Sequence, residues 1–175
     1  MIRLAAAAAV AALAGACAVA PVPQAVLPQL SAIPASFEMS GRLAMRQGDR
    51  SEIARLRWTH SPASDRWVFA SPLGNEVARI ESGPKGATLR RAGADAPEEA
   101  PSFAALSERV IGIALDPAAL ASWLHGTVPA ESGEWTVAIE ETQRAGSVDM
   151  ARRLSARRGD VTVRLVVDEY RALEP

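Results

Sequence analysis

Few side chains in this 175-residue chain could do covalent chemistry, and their spacing argues against it. The single cysteine, Cys17, could be a nucleophile, but it directly follows an apolar run, ahead of anything that reads as a folded domain. His60 and His125 are the only histidines. Neither has a Cys or carboxylate cluster at metal-ligand spacing, and both read as solvated, one at a strand end and one at a helix end. Ser82-Gly83-Pro84-Lys85 fits S-x-x-K, yet that motif must open a helix and Gly-Pro makes a turn. Neither G-x-S-x-G, a phosphate-cradling glycine loop nor H-E-x-x-H is present. With no nucleophile–base pair to name, the chain is expected to be no enzyme and to need no metal or cofactor. Arg152, Arg153, Arg157 and Arg158 could touch anionic headgroups, but they read first as a solvated strand face.

What Cys17 can do follows from its surroundings. Met1-Ile2-Arg3 is a short positive start, Leu4 to Leu13 is apolar, and Ala14-Gly15-Ala16 supplies small residues before the cysteine. The run is too short for a membrane span, which takes about 20 apolar residues, and has the layout of a secretory signal. It resembles a bacterial lipobox, with Ala14 standing where Leu is usual. That resemblance implies a signal peptide over 1–16 and a lipid-bearing Cys17. Ala18 after the cysteine implies sorting to the outer membrane. Residues 17–36 then form a tether in which Pro21, Pro23, Pro28 and Pro34 forbid a helix and favour extended chain.

The remaining stretch, 37–175, is long enough for one domain with a real core. Apolar residues make up 49%, charged residues 22%, and the formal charge is −1, so nothing calls for nucleic acid. Phe37, Met39, Leu43 and Met45 alternate with Glu38, Ser40, Arg42 and Arg46, the pattern of a half-buried strand, with Gly41 marking a bulge or bend. Further strands read at Ala54–Thr59, Arg66–Ala70, Glu76–Ser82 and Ala87–Arg90, joined by short turns into an antiparallel meander. Gly93 to Pro101 reads as an acidic loop. Ser102 then caps a helix carrying Phe103, Leu106, Val110 and Ile113, and Asp116-Pro117 starts a second with Leu120, Trp123 and Leu124. Strand alternation returns at Trp135–Ile139, Leu154–Ala156 and Val161–Val167. One apolar sheet face needs a cover, so the fold expected is mainly β with α: a curved antiparallel sheet closed by helices. Periodicity leaves open whether the interior is solid or hollow.

The ordered pieces Phe37-x-Met39-Ser40-Gly41-Arg42-Leu43-Ala44-Met45-Arg46, Ala54-Arg55-Leu56-Arg57-Trp58, Asp65-Arg66-Trp67, Ser71-Pro72-Leu73-Gly74, Trp123-Leu124-x-Gly126 and Val163–Tyr170 resemble the LolB family of outer-membrane lipoprotein receptors. The resemblance implies an incomplete barrel with a short helical lid around an apolar cavity. It also implies a function: accepting acylated lipoproteins from a LolA-like periplasmic carrier and inserting them into the outer membrane, on its periplasmic face. The partners implied are that carrier, the cargo and outer-membrane lipid, with the chain a monomer. Pro72, Leu73 and Gly74 would form a protruding membrane-insertion loop with Leu73 exposed. Leu43, Met45, Leu56, Trp58, Trp67, Phe69, Trp123 and Trp135 would line the acyl-chain cavity, although ordinary core packing accounts for each equally well. The family's usual N-terminal helix is replaced here by a short Pro-rich segment. The alternative is a structural or assembly lipoprotein that binds a membrane-protein machine through its sheet.

Overall fold

A computed structural model describes residues 30–127 and 135–173. Cys17, the signal-like segment and most of the tether lie outside the described residues, as does Pro129. Six strands come first: β1 (Phe37–Gln47), β2 (Arg50–Ser61), β3 (Ser64–Ala70), β4 (Glu76–Gly83), β5 (Gly86–Arg91) and β6 (Glu98–Ala100). Two helices follow, α1 (Phe103–Ile111) and α2 (Pro117–Leu124). Then come β7 (Thr136–Ala145), β8 (Val148–Arg158) and β9 (Val161–Ala172). All pairings are antiparallel, in the order β6-β5-β4-β3-β2-β1-β9-β8-β7, and the sheet does not close. The first and last thirds of the chain therefore meet at one seam, β1 against β9.

The alternation seen in the sequence sets the two faces. Phe37, Met39, Leu43 and Met45 are buried, as are Leu56 and Trp58 on β2 and Trp67 and Phe69 on β3. These inner residues form a single cluster with Val163, Leu165 and Val167 of β9 and with the buried faces of both helices. α1 lies against β4, β5 and β6, and α2 against β8, so the two helices cover different halves of the inner face. Ser102 caps α1 by accepting from Ala105 N, and Asp116 caps α2 by accepting from Ala118 N. Such caps are worth about 1 kcal/mol each.

Between the helices the buried Ser107 hydroxyl accepts from Leu115 N at 2.9 Å and lies 3.0 Å from the carbonyls of Ala104 and Ile113. It therefore pins the connector onto α1.

Three details differ from the sequence reading. β6 falls inside the stretch read as an acidic loop; it is three residues of Glu and Ala at a sheet edge, with no apolar alternation to betray it. Ile113, read as helical, lies beyond α1, because Gly112 takes φ 73° and ends the helix. It is buried all the same. Trp135, read as a strand residue, precedes β7 and is only partly buried.

Gly41 does sit at an irregularity: the β1–β9 register shifts between Ser40 and Gly41. The end of the segment read as tether is hydrogen-bonded to the domain. Leu30 N donates to His125 O at 3.4 Å, and Ser31 Oγ accepts from Asp149 N at 2.9 Å.

Candidate functional site

Two regions could handle a lipid: the apolar interior under the helices, and one end of the sheet. Inside, the aromatic residues form a connected chain of edge and tilted contacts. Phe37 meets Trp58 at 4.8 Å between ring centroids, Trp58 meets Trp67 at 5.5 Å, and Trp67 meets Phe103 of α1 at 4.7 Å. Of the expected cavity residues, Leu43, Met45, Leu56, Trp58, Trp67 and Phe69 thus share one inner face, and Trp123 joins them from α2. Trp135 lies tilted against Trp123 at 5.4 Å between centroids, with the Arg158 guanidinium 4.7 Å from its ring centroid. Two donors in this interior are unpaired among the described residues, the indole N–H groups of Trp67 and Trp123. Buried indole N–H groups ordinarily find an acceptor, and leaving one unmet costs about 1–3 kcal/mol.

α2 is fastened to the sheet by a polar latch. His125, the residue after α2, is fully buried, which corrects the solvated reading. Its Nδ1 lies 2.8 Å from Ala121 O and its Nε2 lies 3.0 Å from Tyr170 Oη on β9. A carbonyl only accepts, so Nδ1 carries the proton and Nε2 accepts from the Tyr170 hydroxyl. Burial lowers the His125 pKa below its usual 6.5, and the Ala121 carbonyl only partly offsets this. Burial likewise pushes the Tyr170 phenol above its ordinary range, so it stays a donor. His60 is also half-buried rather than solvated: its Nδ1 lies 2.8 Å from Asp65 Oδ1, which also accepts from Trp58 Nε1 at 2.8 Å. The latch could have been suspected from the sequence, since His125 follows the buried Ala121 by one helical turn. Its partner Tyr170, 45 residues away, could not.

The latch has a pH dependence of defined sign. A neutral native His125 takes up no proton until the pH falls below its lowered pKa, while the unfolded chain takes one up near 6.5. Its contribution to stability is therefore full above pH 6.5 and is lost as pH falls from there through the lowered native value. Asp149 and Glu98, each held low by a hydrogen-bonded arginine (Arg144 and Arg91), titrate below this window. Melting temperature should drop between about pH 7.5 and about pH 5.5, and drop less in His125→Gln. Equal drops in the two proteins would show that the latch carries no proton linkage.

At the opposite end of the sheet, residues 71–75 join β3 to β4. Gly74 N donates to Ser71 O at 2.8 Å and Ser71 N to Asn75 O at 2.8 Å, closing a tight turn on itself. Ser at the first turn position, Pro at the second and Gly at the fourth suit a type I turn, and Gly74 takes φ 90°. The turn holds Leu73 out in solvent, 89% exposed. Two other large apolar side chains are exposed at this end of the sheet. Val77 stands just after the turn, and Ile53 lies two residues past the Arg55–Ala70 pairing, toward the loop.

The family model described as outer membrane lipoprotein LolB matches residues 35–170. The outer-membrane lipoprotein LolB of Azoarcus sp. (strain BH72) is 32% identical over 93% of this chain and 92% of its own length. That of Thiobacillus denitrificans is 30% identical over 92% of each chain. That of Chromobacterium violaceum is 32% identical over 80% of this chain and 83% of its own. Among solved structures, a LolA superfamily protein from Nitrosomonas europaea has 7% identity and a TM-score of 0.47, covering 84% of this chain and 90% of that one. The family match takes in β1 through most of β9, both helices and the Leu73 turn, and on it the chain belongs to the LolB family of outer-membrane lipoproteins.

Proposed function

We propose that this protein is an outer-membrane lipoprotein receptor: it takes acylated lipoproteins from a periplasmic carrier of LolA type and inserts them into the outer membrane. The observation that carries the reading, beside family membership, is the pairing of an apolar inner face under helices with a lone leucine held in solvent at the sheet's far end. Acyl chains would enter between the helices and the sheet, against Leu43, Met45, Leu56, Trp58, Trp67, Phe69, Trp123 and Trp135. A cargo lipid brings ester and amide carbonyls as well as methylenes. Those carbonyls would accept from the unpaired indole N–H groups of Trp67 and Trp123, which gives those groups a use that plain core packing does not. Pro72, Leu73 and Gly74 would form the membrane-insertion loop. No nucleotide or catalytic group is needed, because a higher affinity for the chains than the carrier's is enough to drive transfer.

The anchor fits this arrangement. A lipid on Cys17 would hold the chain to the outer membrane, its domain in the periplasm as a monomer. Leu30 sits at the latch end of the sheet, opposite Leu73. Leu30 stands thirteen residues after Cys17, and a chain of that length reaches at most about 40 Å at ~3.1 Å per residue. An 11-residue strand such as β1 is about 36 Å long at ~3.3 Å per residue. The Leu73 end can therefore touch the membrane that holds the anchor.

The test is a transfer assay in which purified carrier loaded with a triacylated lipoprotein is mixed with the receptor. Cargo should move to the receptor, while the same lipoprotein without acyl chains should not bind. Absence of any capture would overturn the receptor reading and favour an assembly lipoprotein with a filled interior.

A further inference from the structure

The outer face of the sheet beside the Leu73 turn carries a concentration of arginine that the folding of the strands does not require. Registry places Arg42 of β1 directly opposite Arg55 of β2, and Arg57 opposite Ser40 in the next outward row. Like charges facing across a strand pair destabilise a sheet. Asp168 relieves one of them, at 3.3 Å from Arg42. Glu76 is taken by Arg79 at 2.8 Å. Arg55 and Arg57 are both exposed and make no ion pair among the described residues, although Arg66, Arg153 and Arg164 on the same sheet do. Arg42, Arg55 and Arg57 line a groove of about 510 Å³ with Glu76 and Asp168, and Gly74, the residue after Leu73, lines it too.

The groove is therefore continuous with the apolar tip. Of the four large apolar side chains exposed among the described residues, three (Ile53, Leu73 and Val77) stand at this end of the sheet. Apolar groups that enter hydrocarbon, with guanidinium groups in the adjoining groove, match the layering of a membrane surface, where phosphates lie just outside the acyl region. Arginine suits that place, since its planar fork donates two hydrogen bonds to one phosphate.

We propose that this groove is a lipid-headgroup site: Arg55 and Arg57, with Arg42, hold the anionic headgroup of a membrane lipid while Leu73, Ile53 and Val77 enter the hydrocarbon beside it. The inference rests on the receptor reading and adds to it a preference for negatively charged membrane and a fixed docking angle. Free phosphate shares the chemistry but lacks the surface, so it should compete poorly.

The test uses the full-length lipid-anchored protein in vesicles of phosphatidylcholine alone or mixed with phosphatidylglycerol, with capture and insertion of cargo scored separately. Insertion should be faster in the mixed vesicles. The double variant Arg55→Gln, Arg57→Gln should lose about thirty-fold of that advantage, as expected for two arginines near an anionic surface, while capture stays the same and the melting temperature does not fall. Removing equal charge elsewhere on the sheet, by Arg153→Gln with Arg164→Gln, should leave the advantage intact. Inorganic phosphate should slow insertion no more than chloride of matched ionic strength. Equal insertion by wild type in both vesicle types would overturn the site. So would equal loss in the two double variants, which would indicate net charge alone, or inhibition specific to phosphate, which would indicate a soluble ligand. Failure of capture would sink the receptor reading instead, so the two failures are distinguishable.

Discussion

Leu73→Glu is expected to leave cargo capture intact and to reduce insertion into liposomes about 100-fold. The side chain is 89% exposed, so the fold should hold within about 0.5 kcal/mol. Its energetic role would appear only when the turn meets hydrocarbon. A leucine there gains about 0.5 kcal/mol and a charged residue costs about 2.5–3.5 kcal/mol on the insertion scale. The difference of roughly 3 kcal/mol corresponds to about two powers of ten. Leu73→Ala removes the gain without adding charge and should fall between. The turn suits such a role because it spends few backbone donors. The N–H groups of Ser71 and Gly74 are bonded inside the loop, and Pro72 has none. Backbone N–H groups left unmet in lipid cost several kcal/mol each. Insertion by Leu73→Glu at the wild-type rate, with capture unchanged, would remove the loop from the mechanism.

The order of strands and helices was legible because each depends on local patterning. Phe37, Met39, Leu43 and Met45 announce β1 by alternation, and Asp116-Pro117 announces α2 by its cap chemistry. The short edge strand β6 was hidden, since Glu98–Ala100 carries no apolar face and is held by pairing with β5. Long-range polar contacts were hidden for a different reason. His125 meets Tyr170 only once α2 is packed on the sheet, and Arg42 meets Arg55 and Asp168 only once β1 is registered against β2 and β9. The arginines' outward parity could be read from the strand pattern, but their convergence beside the Leu73 turn is a property of register. The exposure of Leu73 sits between these cases. A Pro-Leu-Gly sequence alone is as compatible with a buried turn, and only the resemblance to a family of ordered motifs favoured solvent. Hollowness of the interior lay beyond periodicity altogether, because a residue lining a cavity and one packed in a core occupy the same strand position.

Gly41→Ala should be strongly damaging, costing on the order of 3–5 kcal/mol. A Cβ at Gly41 would land on the carbonyl oxygen of Val166, 3.1 Å from that carbonyl carbon and 3.2 Å from Val167 Cα. All three are backbone atoms of β9, so no side-chain rotation can make room. The strands themselves must part, at the register shift where the β1–β9 ladder is already irregular. That ladder is the seam between β1–β6, which carry α1, and β7–β9, which carry α2. Opening it would loosen both walls of the interior and the latch from His125 to Tyr170 together. At about 2–4 °C per kcal/mol for a chain of this size, the melting temperature should fall by roughly 6–20 °C. Gly74→Ala is the informative contrast. It meets the strain of φ 90° but has no atom within 4 Å of the added methyl, so it should cost about 1 kcal/mol and disturb only the turn. On the receptor reading the two variants should fail differently: Gly41→Ala in capture, because the apolar interior is no longer held, and Gly74→Ala in insertion alone. A Gly41→Ala protein that melts within a degree or two of wild type would show that the seam can yield. The two halves of the sheet would then be less tightly coupled than the Val166 contact requires.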